Sequence, residues 1–166
     1  MKYAKIRKFD TANGQGVRTT LFVSGCKFNC KGCFNKEAQD FNYGNEFTKE
    51  VEDEFIGYIK NPNVVGVNLL GGEIMQQDTS TILNLVKRIK EETGKNIWCW
   101  TGYKYEDLIK IDGKLEVLQY IDVLIDGRFE IAKKDLMLKY RGSSNQRVID
   151  VKKTLNTGVV ELFWNE

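Results

Sequence analysis

The sequence of 166 residues contains no histidine. That absence excludes the Ser-His-Asp and Cys-His arrangements of nucleophilic catalysis. It also excludes zinc proteases and zinc fingers with histidine ligands, and haem held by histidine. Any metal in this protein must therefore be bound by cysteine, aspartate, glutamate or backbone oxygen.

Long hydrophobic runs are also missing. The apolar runs are only a few residues long, such as residues 64–67, whereas a membrane helix needs roughly 20. The N-terminal segment MKYAKIRKFD has no apolar region of the kind found in signal peptides. We therefore expect a soluble, cytoplasmic protein with no membrane partner.

The sequence contains 25 basic and 23 acidic residues, so its net charge is +2 and neither sign dominates. This balance provides no broad basic surface for a nucleic acid, so we expect no nucleic-acid partner. Hydrophobic residues make up 42% of the chain. That fraction and this length suit one domain covering residues 1–166.

Short apolar runs alternate with amphipathic segments along the chain, which indicates an α/β fold with a mainly parallel sheet. Two N-terminal strands flank a turn at Asn13-Gly14, and helices are predicted from Thr48 to about Lys60 and from Thr79 to about Glu92. A third helical stretch is predicted between residues 105 and 119. Further strands are predicted at residues 64–70, 96–102 and 121–127, and two late hairpin-like strands at RVIDV and VVELF.

Unusual residues follow several predicted strands. They are the cysteines after residue 25, Gly71-Gly72-Glu73, Thr101-Gly102 and Asp126-Gly127. Because the carboxyl ends of parallel strands meet at one edge of a sheet, the pattern predicts a single shared site there.

Three of the four cysteines, Cys26, Cys30 and Cys33, are spaced C-x3-C-x2-C. Thiolates are the soft ligands that suit iron–sulfur clusters and zinc. Three ligands are one short of the usual four, which leaves a coordination position for a substrate. Cys99 lies inside a predicted strand and is interpreted as a core residue. The alternative is a structural zinc site that Cys99 completes.

The cysteine triplet, followed by a strand that ends in Gly-Gly-Glu, resembles the radical S-adenosylmethionine (SAM) superfamily. The resemblance implies a [4Fe–4S] cluster held by Cys26, Cys30 and Cys33, with the fourth iron open to SAM. An electron from the cluster would then cleave SAM to a 5′-deoxyadenosyl radical. The implied fold is a partial, laterally open (β/α) barrel, since a full barrel takes about 250 residues.

The same resemblance implies the remaining site residues. Gly71 and Gly72 would let SAM approach the backbone, and Glu73 would bind its α-amine. Many members have an aromatic residue before the last cysteine that packs near the SAM adenine, whereas this chain has Gly32 there. The resemblance implies that Phe34 after Cys33, or the backbone around it, takes over that contact. The other implied SAM contacts are Asp126, Asn145 and Arg147. No side chain acts as a catalytic acid or base, because the cluster and SAM carry the chemistry.

Further segments narrow the resemblance: NGQGVRTTLFVSGC, CKGCFN, IWCWTGY, DVLIDGRF and YRGSSNQRVI. Together they resemble the activating proteins of anaerobic (class III) ribonucleoside-triphosphate reductases. That family implies hydrogen abstraction from a glycine of the large reductase subunit, which would close the open side of the barrel, and a flavodoxin-like electron donor. Two alternatives remain: an activase of the pyruvate formate-lyase type, and a non-catalytic zinc or iron–sulfur module.

Overall fold

The computed structural model describes residues 1–33 and 36–164. The strands in this part of the chain are β1 (Lys2–Asp10), β2 (Arg18–Val23), β3 (Asn45–Glu46), β4 (Gly66–Gly71), β5 (Asn96–Trp100), β6 (Val123–Asp126) and β7 (Arg147–Asp150). They form one sheet in the order β3-β1-β2-β4-β5-β6-β7. The fold is mixed α/β, as predicted.

The centre of this sheet is parallel and its margins are antiparallel. Strands β2, β4, β5 and β6 pair in parallel. Strand β1 pairs antiparallel with β2 and with β3, and β7 pairs antiparallel with β6. The predicted N-terminal hairpin is therefore confirmed. Within the described residues β3 and β7 do not pair with each other, so the sheet is open.

The helices are α1 (Lys49–Ile59), α2 (Thr79–Thr93), α3 (Tyr105–Leu108), α4 (Lys114–Leu118) and α5 (Val151–Thr157). The Thr48 hydroxyl accepts a hydrogen bond of 3.2 Å from the N–H of Val51 and so caps α1. Gly94, with φ +65°, ends α2 in the left-handed conformation. Both helices begin at the predicted residues.

Two expectations for the second half of the chain are wrong. The stretch between Tyr105 and Gln119 is two short helices, because Gly113 between them has φ +81°. The second late strand, VVELF at 159–163, is not formed. The segment before it, residues 151–157, is α5, whose first turn the Asp150 carboxylate caps by accepting from Lys153 N–H. Leu162 then returns to make an isolated bridge with Ile149.

The two faces of the sheet differ because strand side chains alternate between them. The larger core joins the helices to one face, where Leu69, Cys99 and Leu124 are fully buried. The other face carries a smaller cluster around Trp98, Val123 and Ile125. The helices therefore cover one face and leave the other to form a cleft.

Arg18 ties the central strands together on this second face. Its side chain is buried and donates to the side-chain oxygens of Asn68 at 2.7 Å and Asn96 at 2.6 Å. Burial lowers the pKa of Arg18 to about 10. These bonds link β2, β4 and β5 away from the strand ends that carry the cysteines. Among the described residues, no helix has the length and apolar character to cross a membrane.

Candidate functional site

A cleft of about 490 Å³ lies at the carboxyl ends of the parallel strands. The three cysteines Cys26, Cys30 and Cys33 line it, together with Gly71, Gly72, Glu73, Thr101, Gly102 and Gly127. The predicted meeting of the strand ends at one edge is therefore confirmed, except that Asp126 does not line the cleft. The volume is in the ordinary range of small-molecule sites.

The cysteine loop follows β2 directly and is fixed by backbone hydrogen bonds. Gly25 N–H donates to the carbonyl of Ala38 at 2.6 Å, and Cys26 N–H donates to that of Gln39 at 3.0 Å. Further along, Cys33 N–H donates to the carbonyl of Cys30 at 3.1 Å. These bonds curve the loop so that its three thiols share the cleft.

The state and arrangement of the three thiols bear on the kind of metal centre that they could hold. None of them is in a disulfide, and in the described part of the chain no three Cys, Asp or Glu side chains approach closely enough to hold one metal ion. A cluster binds each thiolate on a different iron, so its ligands stand further apart than those of one ion. Three free thiols around one cleft are compatible with such a cluster.

Burial and nearby charges shift the pKa of two of these thiols. Burial raises the pKa of Cys26 and of Cys30. The Arg128 guanidinium opposes this effect at Cys30, because a cation stabilises the thiolate. The cleft therefore holds a positive charge beside a cysteine that must ionise to bind a metal.

Cys99 lies apart from the triplet. It is fully buried in the core on the helix-covered side of β5 and does not line the cleft. Its interpretation as a core residue is confirmed. A zinc site formed by the triplet and Cys99 has no support in this geometry.

Glu73 is held rigidly at the bottom of the cleft. Its carboxylate is 2% exposed and accepts hydrogen bonds from Gly102 N–H at 2.6 Å, the Thr101 hydroxyl at 2.7 Å and Met75 N–H at 3.0 Å. Burial raises the pKa of Glu73 to about 7, although these bonds lower it in part. A carboxylate has about four acceptor positions, so one remains for a ligand.

Gly71 and Gly72 allow the end of β4 to pack against the cysteine loop. Gly71 has φ +121°, and a Cβ there would stand 2.5 Å from the backbone of Val23. A Cβ on Gly72 would stand 2.6 Å from the Gly25 carbonyl and 2.7 Å from that of Ala38. The glycine pair is therefore required by close backbone packing, in addition to any approach by a ligand.

Three of the predicted SAM contacts lie outside the cleft lining: Asp126, Asn145 and Arg147. Asp126 is 1% exposed and accepts from Arg147 at 2.6 and 3.0 Å and from Tyr105 N–H at 2.8 Å. Arg147 also donates to Glu106, and the two carboxylates raise its pKa. Asn145 donates its amide N–H to the carbonyl of Arg128 at 2.7 Å. None of the three lines the cleft.

The other predicted residues lie near Cys33. Gly32, with φ +75°, is exposed, and a Cβ there would stand 2.5 Å from Cδ1 of Ile131. Cys33 itself lines the cleft, whereas Gly32 does not. Phe34 lies outside the described residues. The predicted adenine contact of this segment stays a prediction.

Arg128 is a cleft residue that the sequence analysis missed. Its guanidinium lies 4.4 Å from the ring centroid of Phe28, and that ring packs edge-on against Tyr103. Both Phe28 and Arg128 line the cleft. The sequence feature that could have identified Arg128 is its position two residues after Asp126, where a turn can bring a side chain back over the strand ends.

Comparison with known proteins agrees with this cleft chemistry. A family model described as a 4Fe-4S single cluster domain matches residues 12–149. An anaerobic ribonucleoside-triphosphate reductase-activating protein of Salmonella typhimurium is 44% identical over 152 residues, covering 89% of this chain and 97% of that protein. Proteins with the same name from Vibrio cholerae (42% over 150 residues; 88% and 96%) and Enterobacteria phage T4 (40% over 152 residues; 89% and 93%) are also similar.

Proposed function

Because the chain belongs to the family of anaerobic ribonucleoside-triphosphate reductase-activating proteins, we propose that it generates a glycyl radical on the large subunit of such a reductase. The observation that carries the proposal is the common cleft of three free thiols and the Glu73 carboxylate. A matching 4Fe-4S cluster domain over residues 12–149 supports it. The enzyme is in this view an oxidoreductase of the radical SAM type, formed by a single domain over residues 1–166.

In this proposal Cys26, Cys30 and Cys33 hold a [4Fe–4S] cluster and leave one iron open to SAM. The bound cluster and SAM would supply reductive cleavage of SAM and, from it, abstraction of a hydrogen atom from the reductase glycine. The protein binds and orients these groups and keeps water away from them. The absence of a histidine is consistent with this division, because the step needs no side-chain acid or base.

In this proposal two side chains orient the amino-acid end of SAM. Glu73 offers a carboxylate to the α-ammonium, and Arg128 offers a guanidinium to the carboxylate, each a charge-assisted contact. Both side chains line the cleft with the cysteines. The two charges explain how one end of SAM would be directed to the open iron.

The predicted residues outside the cleft act, in this proposal, through their neighbours. Asn145 holds the Arg128 backbone, and Arg147 holds Asp126 at the end of β6. Gly32, Phe34 and the backbone between them would lie on the adenine side. We further propose that the open sheet is a partial radical SAM barrel whose open side the large subunit covers.

The electron would come from a low-potential, flavodoxin-like donor protein. We place the reaction in the cytoplasm, where cysteines such as this triplet remain reduced.

The proposal is tested by anaerobic reconstitution of the iron site, reduction with dithionite and addition of SAM. We expect 5′-deoxyadenosine and methionine as products, and no product from the Cys30→Ala variant. A well-loaded wild-type protein that forms neither product would contradict the proposal and favour a non-catalytic iron–sulfur module. Glycyl radical formation on pyruvate formate-lyase, but not on the reductase, would favour the other activase class.

A further inference from the structure

Residues 134–143 form a closed turn at the mouth of the cleft, which we call the rim turn. Lys134 and Ser143 form an antiparallel bridge, and Asp135 N–H donates to the carbonyl of Gly142 at 3.3 Å. At its tip, Met137 N–H donates to the Asp135 carboxylate at 2.9 Å. Rim-turn residues that line the cleft include Asp135, Leu136, Leu138, Tyr140 and Gly142.

The rim turn is anchored at both sides. Tyr140 has φ +66°, a costly conformation for a residue with a side chain. Its carbonyl accepts from the indole N–H of Trp100 at 2.7 Å, and its ring packs edge-on against Trp98 at 5.3 Å. Just before the turn, Ile131 lies against Gly32 of the cysteine loop. The turn is therefore a built structure, which presents its tip in a defined direction.

The tip carries two apolar side chains in solvent. Leu136 is 84% exposed and Met137 is 88% exposed, the highest values among the large hydrophobic residues of the described chain. Exposed apolar side chains grouped on an ordered element are typical of interaction sites. Unbranched methionine also adapts to irregular pockets in a partner.

Positive charge surrounds this apolar tip. The basic residues of segment 129–143, which contains the turn, are Lys133, Lys134, Lys139 and Arg141, against Glu130 and Asp135. Glu130 is paired with Lys133 at 3.6 Å, so these two charges offset each other, and the Asp135 carboxylate accepts from the turn backbone. On the cysteine loop, Lys27 and Lys31 are exposed as well. A complementary partner therefore offers an apolar pocket bordered by carboxylates.

We propose that Leu136 and Met137 dock into such a pocket on the large reductase subunit, beside the segment that carries its glycine. The inference rests on the proposed function, in which a glycine of another protein must reach the cleft. The rim turn stands at the mouth through which that segment enters. Contact with the tip would align the segment over the cysteines, while the basic residues steer the approach.

The test measures binding of the purified large subunit to the anaerobically reconstituted protein with SAM, by biolayer interferometry. Met137→Ser should raise the Kd at least tenfold, about the loss expected when one buried apolar contact is removed. Adding Leu136→Ser should raise it further, while Met137→Leu should stay within about twofold of wild type. Val159→Ser is the matched control, because Val159 is 62% exposed and does not line the cleft.

SAM cleavage in the absence of the large subunit separates the two proposals. Met137→Ser should cleave SAM at the wild-type rate, because Met137 does not line the cleft. Failure of the wild-type protein to cleave SAM would refute the proposed function. An unchanged Kd in both serine variants, with cleavage intact in Met137→Ser, would overturn only the docking inference. So would a wild-type dimer that Met137→Ser converts to a monomer in sedimentation, since the tip would then contact a second copy.

Discussion

The Glu73 carboxylate accepts a hydrogen bond of 2.6 Å from the backbone N–H of Gly102. This bond joins the turn after β4 to the turn after β5, and the Thr101 hydroxyl adds a second bond between them at 2.7 Å. The carboxylate is therefore fixed by the two neighbouring strand ends before any ligand arrives. A group held in this way loses little freedom on binding, which favours affinity.

Replacing Glu73 with Gln should weaken SAM binding about 10- to 150-fold. The amide keeps the shape but loses a charge-assisted hydrogen bond worth about 1.5–3 kcal/mol. Equilibrium binding of labelled SAM to reconstituted protein measures the effect. Glu116→Gln, an exposed change on α4, is the control. Equal affinities for wild type and Glu73→Gln would remove Glu73 from the SAM site.

The stability of the metal-free protein should fall with rising pH because of Glu73. Burial raises its pKa from 4.5 to about 7. Between these values the folded protein retains a proton that the unfolded chain has lost, so stability decreases through this interval and levels off above it. The full effect is about 3 kcal/mol.

Urea unfolding at about pH 5 and about pH 8 measures this effect, with Glu73→Gln as the reference that lacks the titrating group. The free energy of unfolding of the wild type should drop relative to that of the variant as the pH rises. A difference that stays constant over the same interval would show that Glu73 titrates at an ordinary pKa.

Cys99→Ala should retain the iron–sulfur cluster, whereas Cys30→Ala should lose it. Cys99 is fully buried in the core beneath β5, and Cys30 lines the cleft. The alanine at position 99 should cost only about 1 kcal/mol of stability, since it removes a single atom from the core. Iron and sulfide content per chain after reconstitution gives the answer. Loss of iron in Cys99→Ala alone would make Cys99 a ligand.

Arg147→Ala should lower the free energy of unfolding by about 3 kcal/mol, because it leaves the buried Asp126 carboxylate without its cation. Arg147 is the cation that links Asp126 on β6 to Glu106 on α3. Urea unfolding of the single variants and of the double variant Arg147→Ala/Asp126→Asn measures the coupling. Additive losses would mean that the pair is not coupled, whereas we expect the double variant to recover part of the stability.

The strands and the shared site could be predicted because their signals are local. Short apolar runs that end in glycine gave β4 and β6, and parallel topology requires their carboxyl ends to meet. The buried position of Cys99 followed from its place inside such a run. The cysteine loop follows β2 directly, so its place at that edge followed as well.

The structural features that the sequence alone did not reveal depend on contacts between distant residues, or on competition between helix and other backbone structure in one segment. The segment between the two predicted late strands was interpreted as a connection, yet the Asp150 cap starts a helix there. The pairing of Arg147 with Asp126 joins residues 21 positions apart. Arg128 enters the cleft because the turn after β6 folds back over Phe28. Neither the helix start, the ion pair nor the turn can be predicted from the spacing of residues along the chain.

In the proposed reaction, this cleft generates a radical on a glycine of another protein. The most direct test is electron paramagnetic resonance of the reconstituted protein mixed anaerobically with SAM, reductant and the large reductase subunit. We predict a glycyl radical signal that disappears with Cys30→Ala and when the acceptor glycine of the subunit is replaced by alanine. A fully loaded wild-type protein that gives no such signal, with a reductase that a known activating protein can activate, would contradict the account.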